Sequence, residues 1–160
     1  MEIERKFLLD YLPVNIDKFD STEIEQAYVS YEPEIRIRKT DNACYLTKKS
    51  TGQLVREEIE KEIDEKTYFL LLVNFIENNV IRKKRYYIPL SSRLTAEIDV
   101  YEDQLEGLKV VEVEFDNEES ANNFDVPNWF GKEVTYDSNY KNKNLSKLNK
   151  YNKVYSKTSR

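Results

Sequence analysis

Apolar and charged residues alternate strictly through Glu34-Ile35-Arg36-Ile37-Arg38-Lys39, isoleucines on one face and arginines on the other. A two-residue period predicts a β-strand with one face set against a core. Similar patterning predicts strands over Glu2 to Leu9, Ser21 to Tyr31, Ala43 to Ser50, Gln53 to Ile63, Val80 to Leu90, Thr95 to Tyr101 and Leu108 to Phe115. In the second of these, Gln26 and Tyr28 fall on one face and Ala27, Val29 and Tyr31 on the other. Asp41-Asn42, Thr51-Gly52 and Gly107 supply turns. The period changes from Asp64 to Asn79, where Tyr68, Phe69, Leu71, Leu72, Phe75 and Ile76 recur at helical spacing behind Asp64 as N-cap. Asn117 to Phe124 predicts a short helix with Glu118 and Glu119 in its first turn. Asn139 to Lys150 predicts a polar helix with Leu145 and Leu148 inward. Asp10 to Asp20 and Pro127 to Gly131 read as connections, and Tyr151 to Arg160 as a polar tail. Residues 1–150 then form a single domain of α+β class, mainly β.

The polar faces change this picture, because their charges are sorted by sign. Glu2, Glu4 and Lys6 share a face, as do Arg36 and Arg38, then Arg56, Glu58 and Glu60, then Glu97 and Asp99, then Glu112 and Glu114. In Tyr45-Leu46-Thr47-Lys48-Lys49, the apolar Leu46 takes Lys48 outward and leaves Thr47 and Lys49 inward. In Arg82-Lys83-Lys84-Arg85, parity allows either Arg82 with Lys84 or Lys83 with Arg85. Any one pair, such as Lys83 and Arg85, reads more readily as the solvated face of a two-layer α+β sheet covered by the Asp64 to Asn79 helix. The set reads differently, since like charges two residues apart repel unless something opposite lies between them. Closing the sheet into a barrel of about eight strands would point all of them into one lumen. Such a lumen suits a polyanion at its basic patch and a divalent cation at its acidic patch. Mg²⁺ on a chain of phosphates answers that description.

Composition narrows the chemistry. The 160 residues carry a net charge of −5, which argues against general nucleic-acid binding. No apolar run approaches the ~20 residues of a membrane span, and the acidic start is unlike a signal peptide. The one cysteine, Cys44, rules out an internal disulfide and fits a reducing compartment, so the cytoplasm is the expected location. The absence of histidine removes Ser-His and Cys-His catalysis. Carboxylates are left as metal ligands, favouring Mg²⁺ or Mn²⁺ over zinc.

The opening Glu2-Ile3-Glu4-Arg5-Lys6 resembles the Glu-x-Glu-x-Lys motif of the CYTH family, part of the triphosphate tunnel metalloenzymes. Arg36-x-Arg38, Leu46-Thr47-Lys48-Lys49, Lys83-x-Arg85, Glu97-x-Asp99 and Val111-Glu112-Val113-Glu114-Phe115 follow in the family's order. Trp129-Phe130-Gly131-x-Glu133-Val134-Thr135 and Tyr140-Lys141-Asn142 also look like the short bacterial members. The resemblance spans roughly Met1 to Leu148 and implies a closed eight-stranded antiparallel β-barrel, a tunnel with flanking helices, that cleaves triphosphates with Mg²⁺ or Mn²⁺. It places Lys83 and Arg85 inward. It implies that Glu2, Glu4, Asp99, Glu112 and Glu114 hold metal directly or through water, with Glu58, Glu60 and Glu97 as further contributors. Arg36, Arg38, Lys49 and Arg85 would bind phosphate, helped by Lys83 and Arg56. Lys6 would complete the phosphate site or, with Tyr28, assist proton transfer, although Tyr28 reads equally as a packing tyrosine. Lys141 could reach in from the C-terminal helix, although a solvated helical lysine is the favoured reading. The favoured activity is hydrolysis of inorganic triphosphate. Thiamine triphosphatase, nucleoside triphosphatase and a class IV-type adenylyl cyclase stand as alternatives, and a non-catalytic polyphosphate-binding module is the contrasting class. The expected partner is a small triphosphate, with no nucleic acid and no membrane; homodimers also occur in the family.

Overall fold

The computed structural model describes residues 1–76 and 78–151. Among the described residues, nine strands form one antiparallel sheet: β1 (Glu2–Leu8), β2 (Asp20–Tyr31), β3 (Glu34–Lys39), β4 (Cys44–Lys49), β5 (Val55–Arg56), β6 (Glu58–Ile63), β7 (Ile81–Pro89), β8 (Thr95–Tyr101) and β9 (Lys109–Glu114). Their order across the sheet is β5-β1-β9-β8-β7-β2-β3-β4-β6. The two end strands are consecutive in the chain, separated by Glu57 alone. The sheet therefore curls round into a nearly closed barrel, leaving little free edge.

Alternation predicts eight strands, and the ninth arises because Gln53 to Ile63 is not continuous. It divides at Glu57: β5 joins β1, with Arg56 opposite Glu2, and β6 joins β4, with Glu58 opposite Lys49. Arg56, Glu58 and Glu60 keep the same parity across the division, so the pattern carries no mark of it. A second departure lies in β2, where a bulge between Tyr28 and Ser30 shifts the register against β3. Tyr31 consequently stacks on Tyr28, with ring centroids 5.6 Å apart, instead of keeping to the face of Ala27 and Val29. One inserted residue is enough to reverse every side chain beyond it.

The apolar faces point away from the barrel axis and are covered from outside. The helix α1 (Glu65–Phe75) starts where the Asp64 carboxylate accepts from the Thr67 N–H at 2.6 Å. It lays Tyr68, Leu71 and Leu72 over Ala27, Ile37, Leu46 and Cys44. Phe69 and Phe75, expected on the same stripe, are exposed, because a helix resting on a sheet buries only a limited arc. A second short helix, α2 (Glu118–Asn122), and the Trp129-Phe130 loop cover Ile3, Phe7, Ile98, Val111 and Val113. Arg5 fastens this cover by donating to both carboxylate oxygens of Glu133, at 2.7 and 2.8 Å, and to the Ala121 carbonyl at 2.8 Å.

The C-terminal helix expected over 139–150 is broken. A 3₁₀ turn at Ser138–Tyr140 precedes the one-turn α3 (Asn142–Leu145). Asn139, Asn142, Asn144 and Asn149 favour turns over helix interiors, because their side chains compete for backbone groups. Leu145 and Leu148 do turn inward, as expected, and Tyr151 joins them in the core. The Tyr151 N–H donates to the Gln104 carbonyl at 2.8 Å, so the tail begins no earlier than 152; residues 152–160 lie outside the described residues. No helix among the described residues is long and apolar enough to cross a membrane.

Leu145 is 1% exposed in this cluster, and Leu145→Ala should cost about 2–5 kcal/mol of stability. Urea unfolding should show this as a lower midpoint with unchanged slope.

Candidate functional site

Turning the apolar faces outward leaves the charged faces inside. A cavity of about 280 Å³ runs in the barrel, lined by Glu2, Glu4, Lys6, Tyr28, Arg36, Arg38, Lys49, Arg56, Glu58, Glu60, Arg85, Glu97, Glu112 and Glu114. The register choices fall as expected. Thr47 and Lys49 are buried inside while Lys48 is exposed; Lys83 and Arg85 point inward. Arg82 instead meets Glu25 and Asp103 on the outer surface, both at 3.2 Å.

Lys83 and Asp99 are the two implied site residues that do not line the cavity. Both are 0% exposed, with Lys83 Nζ 2.8 Å from Asp99 Oδ2. Arg85 covers Asp99 from the cavity side, its Nε and Nη2 donating to Oδ1 and Oδ2 at 2.7 and 2.9 Å. The resemblance implies that Asp99 holds metal directly or through water and that Lys83 helps to bind phosphate; the structure places both behind Arg85 in the wall rather than on the cavity surface. Burial works against the charge on Asp99, but Arg85 and Lys83 outweigh it and hold the carboxyl at about 2. Burial lowers Lys83 to about 7, against the pull of Asp99.

Sequence reasoning also missed part of the lining. Glu34 has the parity of Arg36 and Arg38 on β3, a signal that could have found it, and it accepts from Arg56 at 3.4 Å. Thr135, Asp137, Tyr140, Asn142 and Lys143 wall one side from the C-terminal segment, where the helix expected over 139–150 is broken and its period gives no guide to the lining. Lys141, expected in solvent, belongs with them: its Nζ donates to the Gly52 carbonyl at 2.8 Å. Gly52 permits that close turn, because a Cβ there would run into the Val55 carbonyl.

The lumen is polarised. On β3, Arg36 is 3% exposed, its Nε has no hydrogen-bond partner, and neither it nor Arg38 has a carboxylate partner among the described residues. Arg38 reaches only the Gln26 Oε1, at 3.3 Å. Burial and the charges of Arg36 and Arg85 lower Arg38 to about 10. Buried cations in this state favour an anion between them.

Carboxylates crowd elsewhere on the wall. Burial, then the charges of Glu112 and Glu2, push Glu4 well above the usual carboxylate range. Burial also resists ionisation of Glu112, but Lys6, at 3.6 Å, and a hydrogen bond from the Glu4 carboxyl hold it well below. The two carboxyls are thus pushed in opposite directions, Glu4 towards its neutral form and Glu112 towards its charged form. Glu58 and Glu2 repeat the arrangement: burial and its bond to Glu2 raise Glu58, while Lys49 and Arg56 overcome burial to lower Glu2. Where two carboxylates crowd in this way, a hard divalent cation between them would relieve the repulsion. Among the described residues no three acidic groups form a ready-made metal centre.

Tyr28 is buried beside these arginines. Burial pushes its phenol up, while Arg36, Arg38 and Arg56 pull the other way and lose. Lys6 Nζ donates to the Tyr140 carbonyl at 3.1 Å.

No protein-family model matches the chain. An inorganic triphosphatase of Nitrosomonas europaea is 38% identical over 148 residues, covering 91% of this chain and 96% of that protein. An inorganic triphosphatase of Acetivibrio thermocellus is 33% identical over 153 residues, covering 91% and 93%. The crystal structure of an inorganic triphosphatase matches with a TM-score of 0.69 at 34% identity, over 92% of this chain and 95% of that one. A Hippeastrum protein described as an adenylyl cyclase with a dominant triphosphatase activity shares the fold, with a TM-score of 0.58 at 18% identity over 76% of this chain and 83% of that one. The motif order, the charged barrel interior and these relatives agree: the chain belongs to the inorganic triphosphatases of the CYTH family, within the triphosphate tunnel metalloenzymes.

Proposed function

We propose that this protein hydrolyses inorganic triphosphate to phosphate and pyrophosphate, with Mg²⁺ or Mn²⁺ as the cation. The observation that carries the reading is that, among the described residues, Arg36 and Arg38 line the lumen without a carboxylate partner while Glu4 and Glu114 line it without an ion-paired cation. A phosphate chain bearing a divalent metal complements both halves at once. The family is in general metal-dependent, and the all-oxygen donor set fits a hard ion.

Arg36, Arg38, Lys49 and Arg85 hold phosphate oxygens, the arginines through paired N–H donors and the lysine as a point charge. Arg56, shared between Glu2 at 3.5 Å and Glu34 at 3.4 Å, bridges the basic and acidic parts of the wall. Glu2, Glu4, Glu112 and Glu114 are the metal-binding carboxylates, with Glu58, Glu60 and Glu97 within the same lumen. When bound, the cation offsets charge on the phosphates and lowers the pKa of a water molecule. Water attacks a terminal phosphorus, the P–O bond to the remaining pyrophosphate breaks, and the arginines stabilise the charge that gathers on the transferred oxygens. Lys6, steadied by Glu112 and the Tyr140 carbonyl, places an ammonium donor in the lumen. Tyr28 stays protonated at neutral pH, since burial raises its pKa, and so serves as a hydrogen-bond donor rather than a base.

Three outcomes are expected. Tripolyphosphate with Mg²⁺ or Mn²⁺ should release phosphate in a colorimetric assay, and EDTA should stop the release; tight binding without turnover would leave a binding module instead. Arg38→Ala and Glu114→Gln should each lower kcat/KM by about 10²-fold or more. Tyr28→Phe should lower the rate without moving the limbs of the pH–rate profile below about pH 10, where an ordinary tyrosine titrates. A limb that disappears in Tyr28→Phe would restore the phenol as a proton-transfer group.

A further inference from the structure

Arg85 on β7 and Asp99 on β8 are direct cross-strand partners, so their side chains emerge on the same face of the sheet. Asp99 nevertheless contributes nothing to the cavity surface. Its Oδ1 takes the Arg85 Nε at 2.7 Å, and its Oδ2 takes the Arg85 Nη2 at 2.9 Å and lies 2.8 Å from Lys83 Nζ. Lys83 closes the set from behind, fully buried, with its ammonium 5.3 Å from the centroid of the Tyr101 ring. The Arg85 guanidinium is therefore gripped along one edge. Its Nη1 is left over and lies 3.6 Å from Glu97 Oε1, on the cavity wall.

We infer that Asp99, backed by Lys83, is a positioning residue that fixes the plane of the Arg85 guanidinium for phosphate, and that it is not a metal ligand. The inference rests on the proposed binding of triphosphate in this lumen. Both Asp99 oxygens are occupied by cationic donors and screened from the cavity by the arginine itself, so a metal ion has no approach to them. Without the carboxylate, Arg85 would be free to rotate and to swing towards Glu97. An arginine held in place before the ligand arrives loses less freedom on binding. The negative charge in this part of the wall thus serves the anion-binding half of the site, although its place in a Glu-x-Asp pair suggests the metal-binding half.

The decisive measurement separates phosphate from metal. Tripolyphosphate is titrated calorimetrically in EDTA, and Mn²⁺ alone is titrated by electron paramagnetic resonance, against the wild type and Asp99→Asn. Asp99→Asn should bind tripolyphosphate about tenfold more weakly, while its Mn²⁺ affinity stays within about twofold. The KM for tripolyphosphate should rise by a similar factor. A tenfold loss of Mn²⁺ affinity with intact tripolyphosphate binding would make Asp99 a metal ligand and overturn the inference, as would no change in either. If Asp99→Asn does not fold, the double variant Lys83→Met/Asp99→Asn removes one buried charge of each sign and decides the matter. Weakened tripolyphosphate binding in it supports the positioning role; wild-type binding would mean that Asp99 merely neutralises Lys83. A wild type that binds no tripolyphosphate would remove the proposed function itself, whatever the variants do.

Discussion

The barrel can exist only because its buried charges are arranged to offset one another. An isolated ion taken out of water costs several kcal/mol even after relaxation, and pairing recovers that only when the geometry is good. Lys49 meets Glu2 at 3.1 Å, Arg56 spans Glu2 and Glu34, and Arg85 and Lys83 close on Asp99. Where pairing fails, crowded carboxyls resist ionisation: Glu4 beside Glu112 and Glu58 beside Glu2 are both pushed upward by burial and their acidic neighbours. The apolar residues have moved outside, where α1, α2 and the C-terminal segment cover them. In most domains the packed interior stabilises the fold and the surface carries the charge. Here the lumen and its outer jacket have divided those tasks the other way round.

Incomplete neutralisation is what makes this lumen a binding site. If every arginine had its carboxylate, no ligand would gain by entering. Among the described residues Arg36 and Arg38 lack that partner, while burial and neighbouring carboxylates push Glu4 towards its neutral form. The site therefore stores electrostatic tension of two signs in one enclosure, and a metal-bearing phosphate chain relieves both. Asp99 belongs to a different layer of the same design, turned towards Arg85 and away from solvent. It shows that a carboxylate in a charged barrel can serve an arginine rather than a metal.

Much of this was legible from periodicity. Leu46 announces that Lys49 faces in and Lys48 out, and the structure agrees. Glu2-x-Glu4 and Glu112-x-Glu114 share a face because strand geometry allows nothing else. Among the features that escaped, three each have a physical cause. Glu57 divides a stretch whose parity is unbroken, since closure depends on which distant strands are available at each end. The bulge at Tyr28 to Ser30 inserts a residue that no alternation can show. Asp99 has the parity of a lumen residue but lies beneath one, because parity states direction and not depth.

What the sequence by itself determined is the sidedness of each strand, the lack of histidine ligands and the sorting of charge by sign. All three follow from covalent order and the two-residue repeat. The tertiary structure alone decided which charges meet. Lys49 and Glu2 are 47 residues apart in the chain, and Arg5 and Glu133 are 128 apart. Partnerships at that range depend on how the sheet closes, and Coulomb interactions depend on distance in space rather than along the chain.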